Sequence, residues 1–185
     1  VKPDWTIQAW EYYTDNIFNT VMLQSDVKWA LSPKTALLAG LQYIHQNAIN
    51  GGGNDSLSKT YFDPRQTSNV ISGRLGYQVM KSKLLLNYTR ITADGRFLFP
   101  REWGREPMYT FIKRERNEGS GDVHAVSVNL HQEWKKNFRS EISYGYYKLP
   151  GTGNVALNKY AMPSYHQFLV DLNYQFTGFW KGLQM

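Results

Sequence analysis

Five arginines, Arg96, Arg101, Arg105, Arg114 and Arg116, fall between Asp94 and Gly121. A guanidinium presents a planar fork of N–H donors that meets a carboxylate at two points, which an ammonium cannot do. Glu102, Glu106, Glu115 and Glu118 are interleaved with these arginines. Their simplest role is to pair with them and hold the segment in shape. The same spacing therefore serves either an incoming carboxylate or an internal set of ion pairs, each weak where exposed. Pro100, Trp103, Pro107, Tyr109 and Phe111 interrupt the charges and read as anchors that fix the segment against a neighbouring wall.

Other chemistry is not visible. His45, His124, His131 and His166 are spread over three segments without metal-ligand spacing. No Gly-rich loop both follows a strand and precedes a helix, and Gly51-Gly52-Gly53-Asn54-Asp55 reads as a loop tip rather than a phosphate or calcium cradle. Ser164 and His166 are the one close serine–histidine pair, and they lack an evident orienting carboxylate. The expectation is a protein that is not an enzyme, with no cofactor and no metal.

Composition narrows the class. The chain has 185 residues, 42% of them hydrophobic and 15% aromatic, enough for one domain. Its mean hydropathy is −0.52. No window approaches the ~18 consecutive apolar residues that a membrane-spanning helix needs. Lys and Arg total 21 against 15 Asp and Glu, a formal charge of +6, which suits nucleic acid, anionic lipid or anionic solutes equally. Absence of cysteine removes disulfides, thiolate metal sites and cysteine nucleophiles. The first residue is Val1, with no charged-then-apolar leader after it, so a signal peptide is expected to have been removed or to lie upstream.

The positioning elements follow from period-two patterning. Phe168, Val170, Leu172, Tyr174 and Phe176 share one face, and Gln167, Asp171, Asn173 and Gln175 the other. The segments 21–31 and 71–79 alternate as cleanly, 35–46, 84–91, 123–134 and 139–147 more roughly, and 4–13 ambiguously. About eight strands are predicted. Brief turns at Ser32-Pro33-Lys34, at 80–83, at Lys135-Lys136-Asn137 and at Thr177-Gly178 alternate with long connections at 47–69, 93–122 and 148–165. Strands of about ten residues with short turns on one edge and long loops on the other describe an antiparallel up-and-down transmembrane β-barrel, all-β. Trp5, Trp29, Trp134, Phe138, Phe179 and Trp180 fall near the short turns, and Tyr12, Tyr13, Tyr43, Tyr88, Tyr146 and Tyr147 near the loop ends, as two interfacial girdles would. Lys28, Asp26, Arg74, Arg139, Glu141 and Asp171 share the polar phase and are expected to face a water-filled interior. Arg90 has the phase of Leu84, Leu86 and Tyr88 and should point outward at the rim.

Two runs carry a resemblance. Phe99-Pro100-Arg101-Glu102-Trp103-Gly104-Arg105-Glu106-Pro107, with Tyr109-Thr110-Phe111 and Arg114-Glu115-Arg116-Asn117-Glu118-Gly119 after it, resembles the long-loop signature of the OprD-type outer-membrane porins. Tyr144-Gly145-Tyr146-Tyr147, Leu149-Pro150, Leu157-Asn158-Lys159-Tyr160 and Met162-Pro163-Ser164-Tyr165-His166-Gln167 resemble the same family in order and spacing. Over the first 70 residues the resemblance is one of pattern.

That resemblance implies an eighteen-stranded barrel, of which residues 1–185 would be one partial domain, a fragment whose Leu183-Gln184-Met185 begins a further strand. Alone, such a piece would have two bare edges and is not expected to insert stably. It also implies that the loop 94–121 folds into the lumen as a constriction, offering Arg96, Arg101, Arg105, Arg114 and Arg116 to small carboxylate-bearing solutes such as amino acids and peptides. A bacterial outer-membrane location is implied, with outer-membrane lipid, lipopolysaccharide and a loose homotrimer as partners. Nucleic acid is not an expected partner. A nonspecific diffusion porin and a β-rich carbohydrate-binding or surface protein are the competing readings.

Overall fold

In the computed structural model, described over residues 3–100, 104–113 and 117–185, the alternating segments become one antiparallel sheet. Its strands are β1 (Asp4–Thr14), β2 (Phe18–Ser32), β3 (Thr35–Ala48), β4 (Thr67–Val79), β5 (Ser82–Ile91), β6 (Val123–Lys135), β7 (Phe138–Lys148) and β8 (Tyr165–Tyr174). Each strand pairs with its sequence neighbour and the order in space is the order in the chain, an up-and-down meander. Among the described residues β1 and β8 do not pair, so the sheet is not closed. Beyond β8, Tyr174 and Met185 exchange backbone hydrogen bonds and Phe176 N–H donates to Leu183, so residues 183–185 start the next rung.

Register follows the hydrophobic alternation, because a one-residue slip would turn every side chain to the wrong face. Thus Asp26 pairs with Gly40, Gly40 with Arg74, and Arg74 with Asn87, and all four look to the same side. The opposite side is apolar and uncovered: Leu23, Leu41, Leu75, Leu86, Phe168 and Val170 are each more than half exposed. Trp5, Trp29 and Trp134 border this band at the short-turn edge, and Tyr13, Tyr43, Tyr88 and Tyr144 at the loop edge. Tyr88 and Tyr144 bond to His124 and His166 of the adjacent strand at 2.8 and 2.7 Å. Arg90 lies at the same rim, paired to Asp122 at 2.6 Å.

The buried core is not between strands but between the sheet and the connection 92–122. Phe97, Phe99 and Met108 of that connection pack on Met22, Ile44, Val70, Ile91, Val123 and Ala125 of five strands. A smaller cluster joins Leu98 to Phe18 and Phe62. Each fully buried side chain of this size contributes roughly 1.5–3 kcal/mol, so the loop is held by the same force that builds a soluble core. Two tyrosines expected in the outer girdle are on the loop-covered face instead. Tyr147 is fully buried, and Tyr12 meets Phe99 edge-on with ring centres 6.4 Å apart. Both have the inward phase of their strands, which proximity to a loop end does not reveal.

Candidate functional site

The loop 92–122 is seated by polar residues from six strands. The Gln46 amide donates to Leu98 O at 2.7 Å and accepts from Leu98 N at 2.9 Å, replacing a strand partner for that residue. Gln42 donates to Pro107 O at 2.8 Å, and Tyr109 N donates to Ser72 Oγ at 3.1 Å. Thr110 Oγ1 donates to Thr89 at 2.8 Å, while Tyr147 Oη donates to Thr110 O at 3.0 Å. At the far end Gln167 donates to Lys113 O at 2.9 Å. Buried backbone polar groups outside regular structure must find such partners or lose about 1–3 kcal/mol each. An irregular chain can therefore lie against this face only because the wall supplies amides and hydroxyls at these places.

Tyr109 is the central anchor. Its Oη donates to Asp26 Oδ1 at 2.7 Å, and the Arg74 guanidinium carbon lies 4.2 Å from its ring centre. Gln24 steadies the same carboxylate by a further hydrogen bond. The ring fits because β3 has glycine beneath it: a Cβ on Gly40 would stand 2.5 Å from Tyr109 Oη and 2.7 Å from Asp26 Oδ1. A Cβ on Gly145 would likewise sit 2.9 Å from Ile112 Cδ1. Arg74 Nε then donates to Asn87 Oδ1 at 2.9 Å. From Asn87 the polar band runs through Asn129 and Ser143 to Glu141, with links of 2.7 to 3.0 Å. Lys113 from the loop meets Asp171 and lies 3.9 Å from Glu141, which is also 3.9 Å from His131 Nδ1.

Lys28, Asp26, Arg74, Arg139, Glu141 and Asp171 all fall in register with this loop-covered face. Two recesses among the described residues open on it toward the short-turn edge. The larger, about 680 Å³, is lined by Lys83, Lys113, His131, Arg139, Glu141 and Asp171 among others. The smaller, about 210 Å³, is lined by Asp26, Lys28, Arg74 and Lys83. Lys83 and Lys113 are additions to the residues expected from sequence. Lys83 shares the phase of Asn87 and could have been read from it; Lys113 lies in the loop, where no period applies.

The loop arginines are only partly placed. Arg105 is exposed. Arg96 lines a cleft with Asp63, Gln66 and Leu98 at the base of the connection 49–66. There the side-chain fork and backbone N–H of Arg65 hold the Asp63 carboxyl down at about 2, with Arg96 adding a weaker attraction. Arg101, Arg114, Arg116, Glu102 and Glu115, and the anchor Trp103, lie outside the described residues.

The two remaining glutamates bind groups not foreseen. Glu106, almost fully buried, accepts Asn117 N at 2.8 Å and Glu118 N at 2.8 Å. Glu118 in turn accepts Tyr160 Oη at 2.7 Å and Lys159 Nζ at 3.5 Å, partners in the third long loop. That loop runs beside the second, with Gly121 N donating to Leu157 O at 2.8 Å and Lys159 N to Gly119 O at 3.0 Å. Ser164 and His166 are not joined: Ser164 Oγ accepts Leu149 N and His166 Nδ1 meets Tyr144 Oη. Among the described residues no cluster of His, Cys, Asp and Glu could hold a metal ion, and no helix is long and apolar enough to cross a membrane.

No protein-family model matches the sequence, and no curated protein matches it. Solved structures do match in shape. Pseudomonas aeruginosa OprD superposes with a TM-score of 0.77 at 12% identity, over 97% of this chain and 49% of its own. P. aeruginosa OccK11 (OpdR) gives 0.77 at 16%, over 100% and 48%. Acinetobacter baumannii OccAB4 gives 0.73 at 17%, over 97% and 42%. The chain thus spans about half the length of the solved chains it matches. Eight meandering strands, a polar face covered by an inserted loop and a bare apolar face together have the fold of the OprD/Occ outer-membrane porins over about half of such a chain.

Proposed function

We propose that this chain forms part of the wall and the constriction of a water-filled channel in a bacterial outer membrane, passing small carboxylate-bearing solutes by diffusion. The observation that carries the proposal is the loop 92–122, laced to the polar face beside a row of cations from β2, β4, β5 and β7. Lys28, Arg74, Lys83 and Arg139 make that row, with Asp26, Glu141 and Asp171 interspersed. A lumen with both signs of charge imposes a field across the path and favours polar solutes that can present a carboxylate to the basic side. Tyr109 and Glu106 fix the loop and leave exposed Arg105 as the described loop guanidinium offered to solute. The apolar band with its Trp and Tyr borders would face outer-membrane lipid, and lipopolysaccharide beyond it at the loop edge. A loose homotrimer would bury part of that band.

Planar-bilayer recording of the protein carrying this chain tests the reading. Wild type is compared with Lys83→Gln/Arg139→Gln and with Arg105→Ala, with and without a small carboxylate such as glutamate. Carboxylate-dependent block or permeation that either variant weakens supports selectivity. Equal currents with no carboxylate effect would leave a nonspecific porin. Absence of channels would remove the porin reading.

A further inference from the structure

The short-turn edge of the sheet carries a charge pattern that the channel does not use. Lys34 lies in the β2–β3 turn, Lys81 in the β4–β5 turn, Lys135 and Lys136 at the β6–β7 turn, and Lys181 after β8, and all five are exposed. Carboxylates are scarce there. Among the described residues they are Asp4 and Glu133, both in register with the loop-covered face, and Glu133 reaches Lys81 at 3.6 Å. Lys34, Lys135, Lys136 and Lys181 form no ion pair among the described residues. At the opposite edge carboxylates are more numerous, and three of the cations there are matched: Arg65 with Asp63, Arg90 with Asp122, Lys159 with Glu118.

The turns that bear these lysines form a continuous rim. Met80 N donates to Lys34 O at 2.6 Å, Glu133 N to Lys81 O at 3.0 Å, and Gln175 N to Asn137 O at 2.9 Å. Each short turn is thereby tied to an adjoining strand end. With neighbouring strands about 4.8 Å apart, successive turns repeat at roughly 10 Å, so the cations are held in a spaced row rather than bunched. Directly beside that row Trp29 and Trp134 are more than half exposed on the uncovered face, and Trp180, in the turn after β8, is as exposed. An occupant must therefore offer anionic groups at the rim and an apolar body along the face below it.

We propose that this rim binds the headgroups of anionic phospholipids in the leaflet it touches, each phosphate meeting a turn lysine while the acyl chains lie against the tryptophan-bordered band. The inference rests on the membrane reading above, since the apolar face must meet lipid. Attraction of this kind is additive over nearby cations and falls with salt.

The test uses the tryptophans as reporters. The protein carrying this chain is reconstituted in vesicles of neutral phosphatidylcholine containing equal mole fractions of brominated phosphatidylglycerol or brominated phosphatidylcholine, and tryptophan quenching is compared at low and high salt. Wild type should be quenched more strongly by the anionic lipid, with the preference shrinking in salt. The variant with Lys34, Lys81, Lys135, Lys136 and Lys181 all changed to Gln should lose the preference, by ~10-fold in relative affinity. Lys59→Gln/Lys148→Gln, at the loop edge, should keep it. Equal quenching of wild type by both lipids overturns the proposal without any variant. So does a preference that survives in the five-lysine variant, or wild-type binding to soluble acidic muropeptides with no lipid preference. Failure of the wild type to insert into either vesicle would sink the membrane reading as well, whereas insertion without preference sinks this inference alone.

Discussion

Replacing Gly40 with alanine sets two effects of known sign against each other. Alanine is favoured over glycine within a strand by about 0.5–1 kcal/mol. Yet the new methyl would stand 2.5 Å from Tyr109 Oη and 2.7 Å from Asp26 Oδ1, where ordinary contact begins at 3.4 Å. The ring must then retreat by 3.4 − 2.5 = 0.9 Å from the first and the carboxylate by 3.4 − 2.7 = 0.7 Å from the second. Movement of that size breaks the 2.7 Å bond between Tyr109 and Asp26. A hydrogen bond to a charged group is worth about 1.5–3 kcal/mol, and the Arg74 contact with the ring about 0.5–2 kcal/mol. The loss, roughly 2–5 kcal/mol, exceeds the backbone gain, so Gly40→Ala should release the middle of the loop while the wall stays folded. Single-channel recordings should show added open-channel noise and altered conductance, and limited proteolysis should cut within 104–113 in the variant but not in wild type. Tyr109→Phe, which removes only the hydroxyl, should reproduce part of the effect. If Gly40→Ala matches wild type in current noise and protease resistance, the seating of Tyr109 on Asp26 does not hold the loop.

Glu106→Ala strips the acceptor from Asn117 N and Glu118 N, a cost of about 1–3 kcal/mol for each unpaired donor; hydrogen exchange at those two amides should accelerate while strand amides remain protected. Tyr160→Phe removes the 2.7 Å bond to Glu118 and should let the third long loop part from the second, measured as a wider distance distribution between spin labels at residues 105 and 155. Asp63 has its carboxyl depressed to about 2 by Arg65, so its contribution to the connection 49–66 is present above the ordinary carboxylate range and is lost as pH falls through about 2. Arg65→Ala should bring that midpoint back toward the ordinary range, read from the side-chain carbon shift of Asp63.

The wall was legible because each strand has a dry face and a wet one. Phe168 to Tyr174 against Gln167 to Asn173 needs only a two-residue period to be read, and the six charged residues so assigned all fall on the loop-covered face. The ambiguous first segment became β1 because β2 offered a partner along its whole length, Asp4 to Thr14 against Lys28 to Phe18, a reason outside its own sequence. Within the loop the sequence was legible only as composition. Phe97, Leu98, Phe99, Met108 and Ile112 are buried, but their spacing follows the contour of a wall built from distant strands, so no local period marks them. Glu106 and Glu118 illustrate the same limit: the fold brings two backbone amides to one and Tyr160 with Lys159 to the other, partners that neighbouring residues in the chain do not announce.

Alternation of wet and dry side chains has a blind spot, and the inserted loop covers it. Sliding one strand by one residue is forbidden because it inverts the faces, but sliding it by two restores them and shifts the strand by about 6.8 Å. Hydrophobic patterning alone barely penalises that error. The loop does, because Gln46, Ser72, Thr89, Tyr147 and Gln167 reach it from β3, β4, β5, β7 and β8 at separations of 2.7 to 3.1 Å. A two-residue slip in any one of those strands carries its donor or acceptor out of reach and strands a buried polar group of the loop. The inserted segment thereby acts as a gauge block for the sheet, seating fully only when every strand it touches lies in the right notch.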